Sequence, residues 1–139
     1  MSYENPWLYN DKVFESENIK DYYGFCYLLT DLENGKMYIG RKYFYSIRKK
    51  KGQRKKVKTE SDWKSYYSSS KKVQQIVQES GHNRFKREIL SLYIKKGQVN
   101  YNETKLLFQH NVLEALNHRD ERLYYNDNIM NRYFSTIME

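Results

Sequence analysis

Two apolar runs joined by an Asn-Gly turn constrain this chain more than any other feature. Phe25-Cys26-Tyr27-Leu28-Leu29 is the first run and Met37-Tyr38-Ile39 the second. Between them lies the polar stretch Thr30-Asp31-Leu32-Glu33-Asn34-Gly35. Asn and Gly both tolerate positive φ, so this pair turns the chain at little steric cost. The stretch therefore predicts a β-hairpin that ends at Gly40. A basic, aromatic segment follows, RKYFYSIRKKKGQRKKVK, covering residues 41–58. Its first half is expected to be helical and to stop near Gly52.

Charge narrows the class of partner. The 25 Lys and Arg outnumber the 17 Asp and Glu, giving a net charge of +8. Such a balance favours polyanions, nucleic acid before an anionic membrane surface. No apolar run approaches the ~20 residues that span a bilayer. The opening MSYENPWLYNDKVFESENIK is polar and acidic, unlike a secretory signal. A single cysteine excludes an internal disulfide, and Cys26, inside an apolar run, reads as a small buried hydrophobe. A cytoplasmic location is expected. A chain of 139 residues is enough for one domain. Its 15 tyrosines predict an aromatic core that is wet at its edges.

Further elements follow from periodicity and caps. Residues 1–20 lack periodicity and read as an N-terminal extension to a domain at 21–139. Ser61 or Asp62 caps a short helix bearing Trp63 and Tyr66. Val73, Ile76 and Val77 mark one face of a helix over Lys71–Ser80, capped by Gly81. Residues 85–94 read as a strand, with a helix as the alternative that periodicity alone leaves open. Asn100 and Glu103 fit a capping box for a helix over 100–116, with Leu106, Leu107, His110 and Leu113 on one face. His82, His110 and His118 show no zinc spacing.

The hairpin resembles the GIY-YIG nuclease superfamily. Tyr38-Ile39-Gly40 is the second half of that motif, and Phe25-Cys26-Tyr27 stands in the first, with its glycine one place early at Gly24. The tyrosine spacing, the following arginine (Arg48) and a later glutamate (Glu103) keep the family order over roughly residues 22–134. The resemblance implies an α+β fold, a small mixed sheet of about three strands flanked by helices. It implies a metal-dependent endonuclease hydrolysing DNA phosphodiesters with Mg2+ or Mn2+. Glu103 would hold the metal on the leaving side. Capping alone is its other reading, and Glu114 is the reserve ligand. Arg48, on a helix, would meet the scissile phosphate, and Arg41 would share that work.

Tyr27 or Tyr38 would position the water or take its proton. A phenol titrates near ~10, so a base role needs cations to depress it. Asn126, in a Tyr-Asn context, would brace the site. Asn128 competes for that role, and a plain turn competes with both. Tyr66 and Tyr67 stand where relatives carry an assisting histidine or tyrosine. Lys42, Lys49, Lys50, Lys51, Arg54, Lys55 and Lys56 would track the DNA backbone as an arm, with a basic loop at about 49–60; a solvated loop is the alternative. Ser69, Ser70 or Tyr67 would offer a hydroxyl to a phosphate; core aromatics and caps are the alternative reading of residues 61–70.

Double-stranded DNA is the expected partner, with a homodimer open. No second DNA-binding domain is visible, so a standalone nuclease is expected, selective through its loops, dimerisation or a partner. The Lys-, Asn- and Tyr-rich composition fits a phage or mobile element of AT-rich genome. Two other classes stay open: a DNA-binding module of this fold without cleavage, and a basic RNA-binding protein.

Overall fold

A computed structural model describes residues 3–49, 51–52 and 54–137, and for Arg48 the backbone alone. Two short strands, β1 (Leu8–Tyr9) and β2 (Lys12–Val13), precede the hairpin β3 (Gly24–Asp31) and β4 (Met37–Tyr43). A second hairpin pairs β5 (Tyr45–Lys49) with β6 (Lys56–Glu60). Helix α1 (Lys71–Ser80), strand β7 (Phe85–Tyr93), helix α2 (Lys96–Gln109) and a small hairpin of β8 (Asn128–Ile129) and β9 (Tyr133–Phe134) complete the chain. The main sheet runs β2-β1-β7-β3-β4, with β1 parallel to β7 and the other pairs antiparallel.

The fold is α+β, but its sheet has five strands rather than about three. The two extra strands come from residues 3–20, the stretch expected as an extension. Trp7, Phe14 and Ile19 of this segment are buried. The Trp7 indole N–H donates to the Trp63 carbonyl at 2.7 Å. Arg87, itself buried, donates to the carbonyls of Asn5, Lys64 and Tyr66. These carbonyls replace the water that a buried guanidinium loses, and they knit three segments together.

Alternation along β3 divides the core in two. Phe25, Tyr27 and Leu29 face an aromatic cluster with Trp7, Phe44, Trp63 and Phe85, closed by Val73 and Val77 of α1. The other face carries Cys26 and Leu28. There the Cys26 thiol lies 3.6 Å from the Val99 carbonyl of α2. A second, mainly aliphatic cluster of Ile39, Leu107, Val112 and Ile129 with Tyr124 continues on that side.

The basic segment is not helical. β4 runs past Gly40 to Tyr43, β5 and β6 pair as antiparallel strands, and Gly52 between them has a φ of +83°. A period of two explains this: Phe44 is buried between half-buried Tyr43 and Tyr45, and Val57 pairs with Arg48 across the strands. The expected loop at about 49–60 is thus strand β6 and the turn before it. Helix α2 begins four residues before Asn100. Gln98 accepts the Lys95 N–H at 3.3 Å, so Asn100 and Glu103 lie inside the helix and form no capping box. α1 spans the expected Lys71–Ser80 and ends at Gly81, whose φ is +93°; the structure adds an N-cap, Ser70 accepting the Val73 N–H at 3.2 Å. Among the described residues no helix is long and apolar enough to cross a membrane.

Strand β4 ends the sheet, and an exposed ladder edge invites foreign pairing. Here the C-terminal segment covers it. Met37 N–H donates to the Leu123 carbonyl at 2.9 Å, and Tyr125 N–H to the Met37 carbonyl at 2.7 Å. A buried cluster ties this segment to the hairpin turn: the Tyr125 hydroxyl donates to Asp31 at 2.6 Å, and Arg84 grips both Asp31 oxygens. Burial pushes the Asp31 carboxyl up, but Arg84, Tyr125 and the Glu33 N–H outweigh it and hold it below its ordinary range.

Candidate active site

The site grows from one register pair. Tyr27 on β3 lies opposite Gly40 on β4. The phenol of Tyr27, 1% exposed, crosses directly over that glycine. A Cβ on Gly40 would strike the Tyr27 hydroxyl, with Cζ only 2.6 Å away and the Tyr38 ring at 3.0 Å. Glycine is required here for close approach, and its φ is ordinary. Gly24 serves a similar end at the other side of the hairpin: a Cβ there would come 2.6 Å from the Lys42 carbonyl. The next residue, Phe25, belongs to the aromatic core.

Three phenols gather over Gly40. Tyr38 stacks on Tyr27 with centroids 6.3 Å apart, and Tyr66 meets Tyr27 edge-on at 6.1 Å. The Tyr27 and Tyr66 hydroxyls interact, and the Ser69 hydroxyl engages both Tyr38 and Tyr66. Burial pushes Tyr27 well above the ordinary phenol value, and the neighbouring Tyr66, Tyr38 and Glu103 push the same way. Burial also raises Tyr38, to about 12, and lifts Tyr66. Arg41 pulls Tyr66 down, but burial outweighs it, so at neutral pH all three are neutral hydroxyls and none is a standing base.

Charge arrives from the other face of the sheet. Glu103, on α2, accepts from Arg41 Nε at 3.2 Å, and both side chains are partly exposed. Burial raises the Glu103 carboxyl, while the charge and hydrogen bond of Arg41 pull it back down. Two adjoining cavities, of about 540 and 210 Å3, share Tyr38, Arg41, Ser69 and Glu103 in their walls. The phenol cluster and the ion pair therefore meet at the β4 edge of the sheet.

Asn126 acts one layer back. Its Oδ1 accepts the Ile39 N–H at 3.1 Å, and its Nδ2 donates to the Ile39 carbonyl at 2.8 Å. This buried amide completes the β4 edge between the two motif residues Tyr38 and Gly40. Arg122 holds Asn126 in turn by donating to its carbonyl. Asn128 instead serves its own turn, donating to Asp127 and accepting the Asn131 N–H, and also lines the larger cavity.

The other sequence candidates divide. Arg48 lies in β5 opposite Val57, on a strand rather than the expected helix, and its side chain is outside the described residues. Lys42 pairs with Asp62 at 2.6 Å and covers the Tyr66 ring at 4.1 Å. Lys49, Lys51, Arg54, Lys55 and Lys56 are exposed on the second hairpin, and Lys50 is outside the described residues. Ser70 caps α1 and also lines the cavity. Tyr67 is buried and braces the N-terminal segment, accepting from Asn5 at 2.9 Å. Glu114 is exposed beyond the end of α2. Sequence reasoning missed Lys71, Lys72, Thr104 and Asp127, which line the larger cavity. The adjacent lysines after the Ser70 cap were the legible signal.

Among the described residues no group of three or more His, Cys, Asp or Glu side chains could hold a metal. A thiolate- or imidazole-rich centre is therefore not what this site offers. Its donors are the Glu103 carboxylate and, farther along the same cavity wall, Asp127. That chemistry fits Mg2+, which binds through one or two carboxylates, keeps several waters and takes further oxygens from phosphate.

A family model described as "Putative endonuclease segE, GIY-YIG domain" matches residues 7–129. The match begins at the buried Trp7 and ends at Ile129, spanning both core clusters. No curated protein and no solved structure matches the chain.

Proposed function

Since the chain belongs to the GIY-YIG endonuclease family, we propose that it hydrolyses DNA phosphodiesters with the help of a divalent cation held by Glu103. One observation carries this reading. Glu103, Arg41 and Tyr38, which come from two different faces of the sheet, share the walls of the same two cavities.

The demands of the reaction match these groups. Charge builds on the phosphoryl oxygens and on the leaving oxygen, and preorganised positive groups stabilise it. The Arg41 guanidinium serves the non-bridging oxygens once it turns from Glu103 to the phosphate. A cation bound at Glu103 supplies Lewis-acid stabilisation. The Tyr38 hydroxyl, held by Ser69, orients the attacking water. Tyr66 and Tyr27 extend that hydrogen-bonded string into the core and fix its geometry. None of the three phenols is the resident base, because burial keeps each protonated. Lys71 and Lys72, exposed at the start of α1, meet the DNA backbone beside the cavity. The cations of the second hairpin add longer-range, salt-sensitive attraction.

The test is Glu103→Gln, assayed on plasmid DNA with and without Mg2+. Glutamine keeps the shape but is neutral. Glu103 caps nothing, so melting should stay near native, while cleavage falls by about a hundredfold or more. Near-native cleavage by this variant at saturating Mg2+ would falsify the assignment. Retained DNA binding with no cleavage by the wild-type protein would leave a binding module.

A further inference from the structure

A second groove opens beside the candidate active site. It has a volume of about 450 Å3 and is lined by Tyr23, Tyr43, Tyr45, Ile47, Lys56 and Lys96. One side chain joins it to the catalytic cavity. The Tyr43 hydroxyl donates to Asn100 Oδ1 at 2.6 Å, and Asn100 lines the larger cavity. The Arg41 guanidinium lies 5.0 Å from the Tyr43 ring centroid. The groove thus begins one aromatic ring away from the Arg41–Glu103 pair.

Its walls are aromatic and open to solvent. Tyr23, Tyr43 and Tyr45 are only half-buried, and Ile47 is 48% exposed. Tyr23 and Tyr43 meet edge-on at 5.1 Å. Ammonium groups stand over the rings: Lys58 lies 4.2 Å from the Tyr45 centroid and Lys96 5.7 Å from that of Tyr43. Lys56 and Lys96 are both exposed. Aromatic walls with cations at the rim match a nucleotide, whose base has a π-face and whose phosphate is an anion. In a duplex, base faces are covered by their neighbours and only edges show. A base reaches these rings only when it has left the stack.

We propose that this groove binds one unpaired nucleotide of the DNA substrate, its base against the tyrosine rings and its phosphate between Lys56 and Lys96. The inference rests on the nuclease reading and narrows it: the preferred substrate is DNA with an unpaired or extruded nucleotide close to the scissile phosphate. The second hairpin is then a reading element as well as a source of charge.

The experiment compares two DNAs in the absence of divalent metal. One is a fully paired duplex. The other is the same duplex with a single unpaired 2-aminopurine, whose fluorescence is quenched on stacking. The wild-type protein should bind the second about tenfold or more tightly and quench it. Tyr45→Ala should lose that margin and the quenching while keeping its affinity for the duplex. Tyr45→Phe should keep both. If Tyr45→Ala does not fold, Lys56→Gln with Lys96→Gln, exposed at both positions, should shrink the margin several-fold. Equal wild-type affinity for the two DNAs overturns the inference, as does a margin that survives in every variant. Equal binding of the two DNAs by protein that cleaves plasmid DNA with Mg2+ overturns the groove alone, whereas failure to bind either DNA overturns the nuclease reading with it.

Discussion

The two faces of the main sheet are built from different chemistry. One is packed with Trp7, Phe25, Tyr27, Phe44, Trp63 and Phe85, and it delivers neutral hydroxyls to the β4 edge. The other is packed with Ile39, Leu107 and Val112 under α2, and it delivers an ion pair to the same edge. Aromatic residues suit the first role, since a phenol combines a large apolar body with a polar tip. A helix suits the second, because it presents Glu103 on a rigid wall. Neither face alone holds a site. The candidate site lies where they meet, at the β4 edge, beside the glycine that makes room for Tyr27 and Tyr38.

That comparison breaks most directly at Gly40. Gly40→Ala puts a methyl group where the Tyr27 hydroxyl lies. We expect a loss of about 1–3 kcal/mol in stability, the range for overpacking a dense core, and a larger loss of cleavage as Tyr27 and Tyr38 are pushed apart. Chemical denaturation with a parallel cleavage assay checks both. A variant as stable and active as the wild type would mean that the seam is loosely packed.

Removing single hydroxyls sharpens the comparison. Tyr38→Phe should fold normally, bind DNA, and cleave about tenfold or more slowly, a loss of about 1.4 kcal/mol in orienting the water. Tyr27→Phe should cost about 1 kcal/mol of stability through its lost bond to Tyr66, with a smaller effect on rate. If Tyr27→Phe is the slower enzyme, the buried phenol is nearer the chemistry than the cavity walls indicate.

The smallest effect tests the charged face. Glu103 has a raised carboxyl pKa, so it ionises at higher pH than an ordinary glutamate, and any activity needing its anion rises through that value. Arg41 is the group that pulls it down. Arg41→Gln should therefore move the Glu103 titration further up, read directly by carboxyl NMR. An unchanged or lower titration point would show that the ion pair does not control the carboxylate.

Local pattern made much of this architecture legible. The Asn-Gly turn and its flanking apolar runs specified the hairpin, and the Val73–Val77 spacing and Gly81 specified α1, to which the structure adds the Ser70 cap. These depend on neighbours within one or two turns of chain, where propensity and capping act. The stretch 41–60 misled because a run of lysines masks a period of two, and the backbone partners of β5 lie across a turn. α2 began early because Gln98 satisfied the helix start before Asn100 had the chance.

The motif residues Tyr27, Tyr38 and Gly40 were nameable from the sequence, as were Arg41, Glu103 and Asn126. Only the tertiary structure decided what they do to one another. Tyr27 was brought over Gly40 by strand register, Arg41 onto Glu103 by the packing of α2, and Asn126 onto the Ile39 backbone by a segment 87 residues away in sequence. It also decided that the phenols stay neutral, since burial depends on the whole aromatic core. Residues 3–20 looked like an appendage for the same reason. Trp7 has no local partner, and its place is set by Trp63, which is distant in the chain and adjacent only once folded.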